Sequence, residues 1–317
     1  MTDLGHVLVL AGGLSPEREV SLRSGGRLRD ALARIDVDVE LRDVDAGTLP
    51  ALAADPPAVV FPVLHGISGE DGTIREVLDL YGLPYVGAVP AACRAAFDKA
   101  TAKATVAGVA TPEAVTLPRE VFHDLGAAAL IDRIAGRLGL PLIVKPRAGG
   151  SALGVGRVDD AGQLAEALMA CFGYHDWALI ERAVTGVEIA VGVIDTGDGP
   201  IALPAVEVEP AGGVYDYAAR YTAGATTFHI PARLDGAVLR AAAETAVTAH
   251  RMLGLRDLSR TDMIVDTNGT AQFLEVNVAP GMTDTSTWPM ALHAAGLDFA
   301  VVARDLAAQA RDRAARR

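Results

Sequence analysis

The sequence predicts an α/β protein: an N-terminal parallel-sheet domain followed by two α+β units. Three observations carry this. Strand and helix signals alternate through residues 6–87, prolines and a glycine-rich loop then break the chain into short segments, and an Asn268-Gly269 turn joins two β-rich runs near the end.

The elements follow in order. His6–Leu10 is a short β-rich run leading into Ala11-Gly12-Gly13 and Ser15-Pro16. A Ser before a Pro is a natural N-cap and first helical position, and the helix runs on through Glu19-Val20-Ser21-Leu22. Ala58–Leu64 is a second apolar run, closed by His65-Gly66. A helix from about Gly72 to Tyr81 and a short Tyr85-Val86-Gly87 strand come next. This order implies a parallel sheet whose ligand-facing loops lie at the C-terminal ends of its strands. Gly13–Glu19 and His65–Asp71 occupy such loops. From Asp98 onwards Pro112, Pro118, Pro141 and Pro146 punctuate the chain, with a helical stretch near Ala127–Leu138. Pro141–Lys145 reads as a strand, Gly149–Gly154 as a loop and Val155–Val158 as a returning strand. Asp160 with Gln163 forms a capping box that opens a helix towards Cys171. Boundaries are expected near residues 97 and 183, giving domains 1–97, 98–183 and 184–317. Arg311–Arg317 reads as a solvated helix end.

Composition narrows the function. The chain of 317 residues carries 28 basic and 40 acidic residues, a net charge of −12. That weighs against binding the phosphate backbone of nucleic acid, where basic residues must replace counterions. No apolar run reaches the length of a spanning helix, and Met1-Thr2-Asp3 lacks the basic start of a secretory signal. Cys93 and Cys171 lie far apart on helical segments and read as small buried side chains in a reducing compartment. A cytoplasmic enzyme is expected.

The most informative segment runs from Arg260 to Asn277. With Asn268-Gly269 as a two-residue turn, Thr267 faces Thr270, Asp262 lies opposite Glu275, and Arg260 lies opposite Asn277. These four side chains share one face, and Met263, Val265, Leu274, Val276 and Val278 share the other, the core face. Two carboxylates directly across a strand pair destabilise it unless something neutralises them. A divalent cation would do so, and the oxygen-only donors Asp262, Glu275 and Asn277 favour Mg²⁺ over Zn²⁺. Mg²⁺ keeps positions open for phosphate oxygens, so a nucleotide is the expected partner. Lys145 with Gly149–Gly154 adds a cation and a loop whose backbone N–H groups can approach phosphate. This is not a P-loop, because no Gly-Lys-Ser/Thr closes it, and Gly12-Gly13 does not complete a dinucleotide fingerprint.

These residues together resemble the ATP-grasp superfamily and, within it, the D-alanine–D-alanine ligases. The matching segments are Ser15–Leu22, His65-Gly66 with Gly69–Thr73, Gly82–Gly87, Asp98-Lys99, Lys145-Pro146 with Gly150-Ser151, Tyr215-Asp216-Tyr217 with Tyr221, and Glu275–Asn277 with Pro280–Thr283. The resemblance implies an ATP-grasp fold in which the second and third domains clamp ATP. It also implies a reaction in which one D-alanine is phosphorylated on its carboxylate and attacked by the amine of a second.

The roles it implies are specific. Asp262, Glu275 and Asn277 would hold two Mg²⁺ ions (Mn²⁺ as a substitute), with Glu275 bridging. Lys99, Lys145 and the Gly150-Ser151 loop would meet the phosphates. Glu181, Arg182, Ala183 and Val184 would form the adenine hinge, and Glu188 would take the ribose. Arg260 and the Gly281 N–H would stabilise the oxyanion, and Glu17 would pair with the first D-alanine's ammonium. Ser151 and Tyr221 would link with Glu17 to close the site, Ser286 would take the second carboxylate, and His65 would border the substrate. A homodimer is expected.

The sequence departs from the family pattern at Ala152, where a second serine is usual, and at Arg220, where Lys is common. It departs again at Thr287-Trp288, which stand for two aliphatic residues beside the acceptor pocket. A ligase for D-lactate, D-serine or an antibiotic precursor is the alternative within the family. A non-catalytic nucleotide-binding module and a nicotinamide oxidoreductase are the alternatives outside it.

Overall fold

In the computed structural model, which describes residues 4–212 and 224–316, β1 (Val7–Ala11) is buried along its whole length. It is the middle strand of a three-stranded parallel sheet, between β2 (Val39–Asp43) and β3 (Val59–Pro62). A central parallel strand covered on both faces must be apolar throughout, as Val-Leu-Val-Leu-Ala is. Helix α1 (Arg18–Arg34) starts two residues later than the Ser15-Pro16 signal suggests. Ser15 instead accepts the Glu17 N–H at 2.9 Å, which leaves Glu17 at the N-cap. The helices α2 (Thr48–Ala54), α3 (Thr73–Leu80) and α4 (Pro90–Phe97) complete this part of the chain. The expected strand at Tyr85–Gly87 is a single parallel bridge, Val60 with Tyr85.

A four-stranded antiparallel sheet follows α5 (Lys99–Thr105). Its order is β4-β7-β5-β6, from Ala114–Pro118, Trp177–Arg182, Leu142–Pro146 and Gly156–Val158. Helices α6 (Arg119–Leu125), α7 (Ala127–Leu138) and α8 (Leu164–Phe172) accompany it. Asp160 and Gln163 make the expected capping box before α8, around one short 3₁₀ turn.

The third sheet is built from β8 (Gly186–Ile194), β9 (Ile201–Ala202), β10 (Val206–Pro210), β11 (Thr226–His229), β12 (Leu258–Asp266) and β13 (Ala271–Asn277). Its strands run β11-β10-β8-β12-β13, with β9 beside β8. Helix α9 (Gly236–Met252) lies across it. Helices α10 (Thr287–Ala294) and α11 (Phe299–Ala314) return to the first sheet, where Val302 and Leu306 share a core with Val9, Leu28 and Phe61. The two ends of the chain therefore pack as one body. Asp257 fixes this closure: fully buried, it accepts from Gly87 N at 2.7 Å and from both Arg313 terminal nitrogens at 2.8 Å.

One buried histidine gives this fold a pH response. His250 on α9 is 1 % exposed and meets Ser259 Oγ at 2.8 Å. Burial pushes its imidazole down to about 4 from an ordinary 6.5. Between those values the unfolded chain takes up a proton that the folded one refuses, so stability falls as the pH falls. From about pH 7.5 to about pH 5 this costs roughly 2 kcal/mol. Urea unfolding at both pH values should show wild type losing about that much more than His250→Gln; parallel losses would refute it.

Candidate active site

The site is assembled on the β12–β13 hairpin. The structure pairs Arg260 with Asn277 and Asp262 with Glu275, as the spacing predicts, but it reaches that register by another route. The turn has three residues rather than two. Asp266 N donates to Thr270 O and Gly269 N to Asp266 O, both at 2.9 Å, with Gly269 at φ +80°. Thr267 therefore does not face Thr270; Asp266 does. A bulge between Asp262 and Met263, which skips Leu274, then shifts the pairing back by one. The bulge also re-aims side chains. Phe273, not Leu274, joins the core, and Leu274 turns with Ile264 into a cavity.

Both hairpin carboxylates already meet cations. Arg260 holds Asp262 through two hydrogen bonds, Nε–Oδ1 at 2.7 Å and Nη2–Oδ2 at 2.8 Å. Lys99 Nζ lies 3.0 Å from Glu275 Oε2 and donates to Gly149 O at 2.7 Å. Lys99 is placed by Asp98, which caps α5 through Thr101 N and is itself paired with Arg147. Asn277 Oδ1 accepts from Ala279 N at 2.7 Å and so fixes the exit from β13.

Two cavities meet at this hairpin. The first is lined by Glu17, His65, Ser151, Arg260, Asn277, Gly281, Ser286 and Thr287. The second is lined by Pro112, Ile143, Leu153, Val155, Ile264 and Leu274, with Lys145, Glu181, Arg182, Ala183 and Val184. Lys99, Gly149, Gly150, Glu188, Asp262 and Glu275 belong to both. A polar chamber and a largely apolar slot thus share a charged wall. The slot suits a planar base, the wall suits phosphates, and the chamber suits small zwitterions.

Across the chamber the Gly149–Gly154 loop folds down onto α1. Ser151 donates a short hydrogen bond to Glu17 Oε1, and both residues are buried. Ser151 and Ala152 stand at φ +51° and +55°, a left-handed pair that costs non-glycine residues energy and clusters at ligand clamps. Gly66 stands at φ +75°, a conformation that favours glycine, and a Cβ there would come within 2.7 Å of Glu17 Oε2 and push that carboxylate aside. His65 is 5 % exposed, with Nδ1 3.7 Å from Glu70 Oε1 and Nε2 meeting no hydrogen-bond partner among the described residues.

The loop after β13 is held from α1. Arg27 donates to Met282 O at 2.9 Å and Thr283 O at 3.1 Å, and Ser24 Oγ accepts from Met282 N at 3.1 Å. Ser286 Oγ accepts from Thr283 N at 3.1 Å. Thr287 lines the chamber, but the expectation that Trp288 borders it fails. Trp288 is 1 % exposed and packs edge-on against Phe299, in the core. Tyr215, Tyr217, Arg220 and Tyr221 lie outside the described residues.

The D-ala D-ala ligase C-terminus family model matches residues 104–307, nearly two thirds of the sequence, and the D-ala D-ala ligase N-terminus model matches residues 40–88. The chain belongs to the D-alanine–D-alanine ligase family. It is an enzyme of the ATP-grasp fold. It is 41% identical over 296 residues to the D-alanine–D-alanine ligase of Anaeromyxobacter sp. (strain K), covering 93% of each chain. The D-alanine–D-alanine ligase from Bacillus anthracis complexed with ATP superposes with a TM-score of 0.82 at 25% identity, over 98% of each chain. The VanG D-Ala:D-Ser ligase from Enterococcus faecalis does so at 0.81 and 28%, over 95% of this chain and 98% of that one.

Two of the family-implied nucleotide residues sit differently from a simple hinge. Arg182 lines the slot while its guanidinium donates to Leu138 O at 2.9 Å. Glu181 is 2 % exposed and lies between Lys145, 2.5 Å from Oε1, and Lys103, 3.0 Å from Oε2. Burial pushes its carboxyl up, but the two ammonium groups outweigh this and hold it below its ordinary value. Lys103, Arg27 and Ser24 are the residues that sequence reasoning missed. Their side chains act across the fold, and nothing in their local pattern marks them.

Proposed function

We propose that the protein joins two D-alanines into D-alanyl-D-alanine at the expense of ATP, for peptidoglycan precursor synthesis. The junction of the polar chamber and the apolar slot, at Lys99, Asp262 and Glu275, carries this reading.

ATP lies with its base in the slot along Glu181–Val184, its ribose at Glu188 and its phosphates at Lys99, Lys145 and the Gly150-Ser151 loop. Glu17 holds the ammonium of the first D-alanine, and its carboxylate oxygen attacks the γ-phosphorus, giving an acyl phosphate and ADP. The neutral amine of the second D-alanine, whose carboxylate sits at Ser286, attacks the acyl carbon. Arg260 and the Gly281 N–H stabilise the resulting oxyanion, which collapses as phosphate leaves with its bonding electron pair and takes up the proton that the attacking nitrogen gives up. His65 lines the same chamber and borders the substrates.

The opposed Asp262 and Glu275 carboxylates, with the Asn277 amide oxygen, fit hard divalent cations. Two Mg²⁺ ions (or Mn²⁺) bound there would neutralise phosphate charge during transfer. Tyr221 completes the closure by family resemblance. Domains at 1–97, 98–183 and 184–317, a homodimer and a cytoplasmic location, where ATP is made available, complete the proposal. Among the described residues no helix is long and apolar enough to cross a membrane.

A second acceptor also has support, because the Thr287 hydroxyl-bearing side chain lines the chamber beside Ser286. Phosphate release with D-alanine alone, or with D-serine or D-lactate added, separates the readings. D-Ala–D-Ala should dominate by at least about tenfold, a difference of roughly 1.4 kcal/mol in transition-state binding. Preferential formation of a D-lactate ester would overturn the assignment.

A further inference from the structure

Behind the nucleotide slot one buried carboxylate is shared by two lysines, which is one cation more than a simple ion pair needs. Lys145 lines the slot, whereas Lys103 lies behind it on α5, its side chain 8 % exposed. Lys103 is held on three sides: it donates to Thr111 Oγ1 at 2.6 Å and Phe273 O at 3.2 Å and forms an ion pair with Glu181 Oε2 at 3.0 Å. It therefore joins β7, the segment after α5 and the residue beside the hairpin bulge. Lys145, by contrast, is held at 2.5 Å by Glu181 from the slot side.

This matters when phosphate arrives. A buried carboxylate that loses its only cation is strongly destabilised, so a lone Lys145–Glu181 pair would resist giving its ammonium to a phosphate. We infer that Lys103 is a positioning residue for ATP: it keeps Glu181 compensated, so that Lys145 can move to the triphosphate without stranding a buried charge. Burial lowers the Lys103 ammonium to about 8 even against the opposing pull of Glu181, so the ion pair helps to keep the cation in place at neutral pH.

The inference rests on the ligase reading and is tested by a cycle of variants in the full-length protein. Lys103→Met should raise KM for ATP about tenfold or more and leave KM for D-alanine within about twofold. Glu181→Gln removes the carboxylate that captures Lys145. In that background, adding Lys103→Met should change KM for ATP by less than about threefold. A brace acting only through Thr111 and Phe273 would cost the same in both backgrounds, and that result would overturn the assignment. So would an unchanged KM for ATP in Lys103→Met. If Lys103→Met yields too little folded protein, Lys103→Gln, which keeps donors for Thr111 and Phe273 without the charge, enters the same cycle. Wild type that releases no phosphate with D-alanine would instead sink the ligase reading itself.

Discussion

Glu275→Gln is expected to lower D-alanine-dependent phosphate release by at least about a thousandfold, roughly 4 kcal/mol of transition-state stabilisation. Gln keeps the length and hydrogen-bonding capacity of the side chain but not its charge, so packing around β13 should hold. The unfolding temperature should stay within a few degrees, since Glu275 is about a quarter exposed and Lys99 keeps its hydrogen bond to Gly149 O and a Gln oxygen in place of the carboxylate. The charge balance makes the prediction sharper. At the shared wall Asp262 and Glu275 oppose Arg260 and Lys99, and the Glu188 carboxylate stands beside them, three negative charges against two positive. Removing one carboxylate takes away the wall's excess negative charge, which favours a polyphosphate when no metal is added. ATP without Mg²⁺ should therefore bind the variant at least as well as wild type, while the gain on adding Mg²⁺ disappears. Calorimetric titration of ADP with and without Mg²⁺ reads both effects beside the rate. A loss of turnover below about tenfold, or a full response to Mg²⁺ in the variant, would remove Glu275 from the reacting centre.

The hairpin shows both the reach and the limit of the sequence. Alternation of side chains along a strand is geometric necessity, so Asp262, Glu275, Arg260 and Asn277 could be brought together from spacing alone. Yet Asn268-Gly269 admits a two- or a three-residue turn, and local sequence does not choose between them. The three-residue turn shifted the register by one and the bulge at Leu274 shifted it back. Spacing alone therefore yields the pairing of Asp262 with Glu275 but neither the turn nor the bulge, and the bulge is what puts Leu274 on the face away from the core. The Thr287-Trp288 misreading has an equally simple origin. Neighbours on a helix are separated by about 100°, so they cannot both face one chamber, and the larger apolar side chain took the core. β2 leaves little mark in the sequence, because Val-Glu-Leu-Arg-Asp, half-buried throughout, is an edge strand with a weak signal. Lys103 was illegible for a different reason. A lysine four residues after Lys99 on a short helix reads as solvated, and only the approach of β7 and β13 buries it. Charge pairs between sheets are tertiary facts, whereas strand periodicity is a local one.

Arg260→Met is expected to lower kcat by about a hundred- to a thousandfold, the usual cost of removing a preorganised donor from an oxyanion site. KM for ATP should move by less than about threefold, because the guanidinium faces the chamber rather than the slot. Arg260→Lys separates charge from shape. The present side chain grips Asp262 with two parallel hydrogen bonds, and that grip fixes where its remaining N–H donors point. A lysine can supply one point charge but not this fork, so it should recover part of the rate and fall short of wild type by about tenfold or more. The order wild type, Lys, Met in kcat, at nearly constant KM for ATP, is what an oriented charge beside the reacting carbonyl requires. If Arg260 only neutralised Asp262, lysine would serve as well as arginine, and the methionine variant would lose affinity for the nucleotide-bound metal together with rate. Steady-state kinetics of the three proteins, with ATP and D-alanine varied separately, decides between an oxyanion donor and a passive counter-ion.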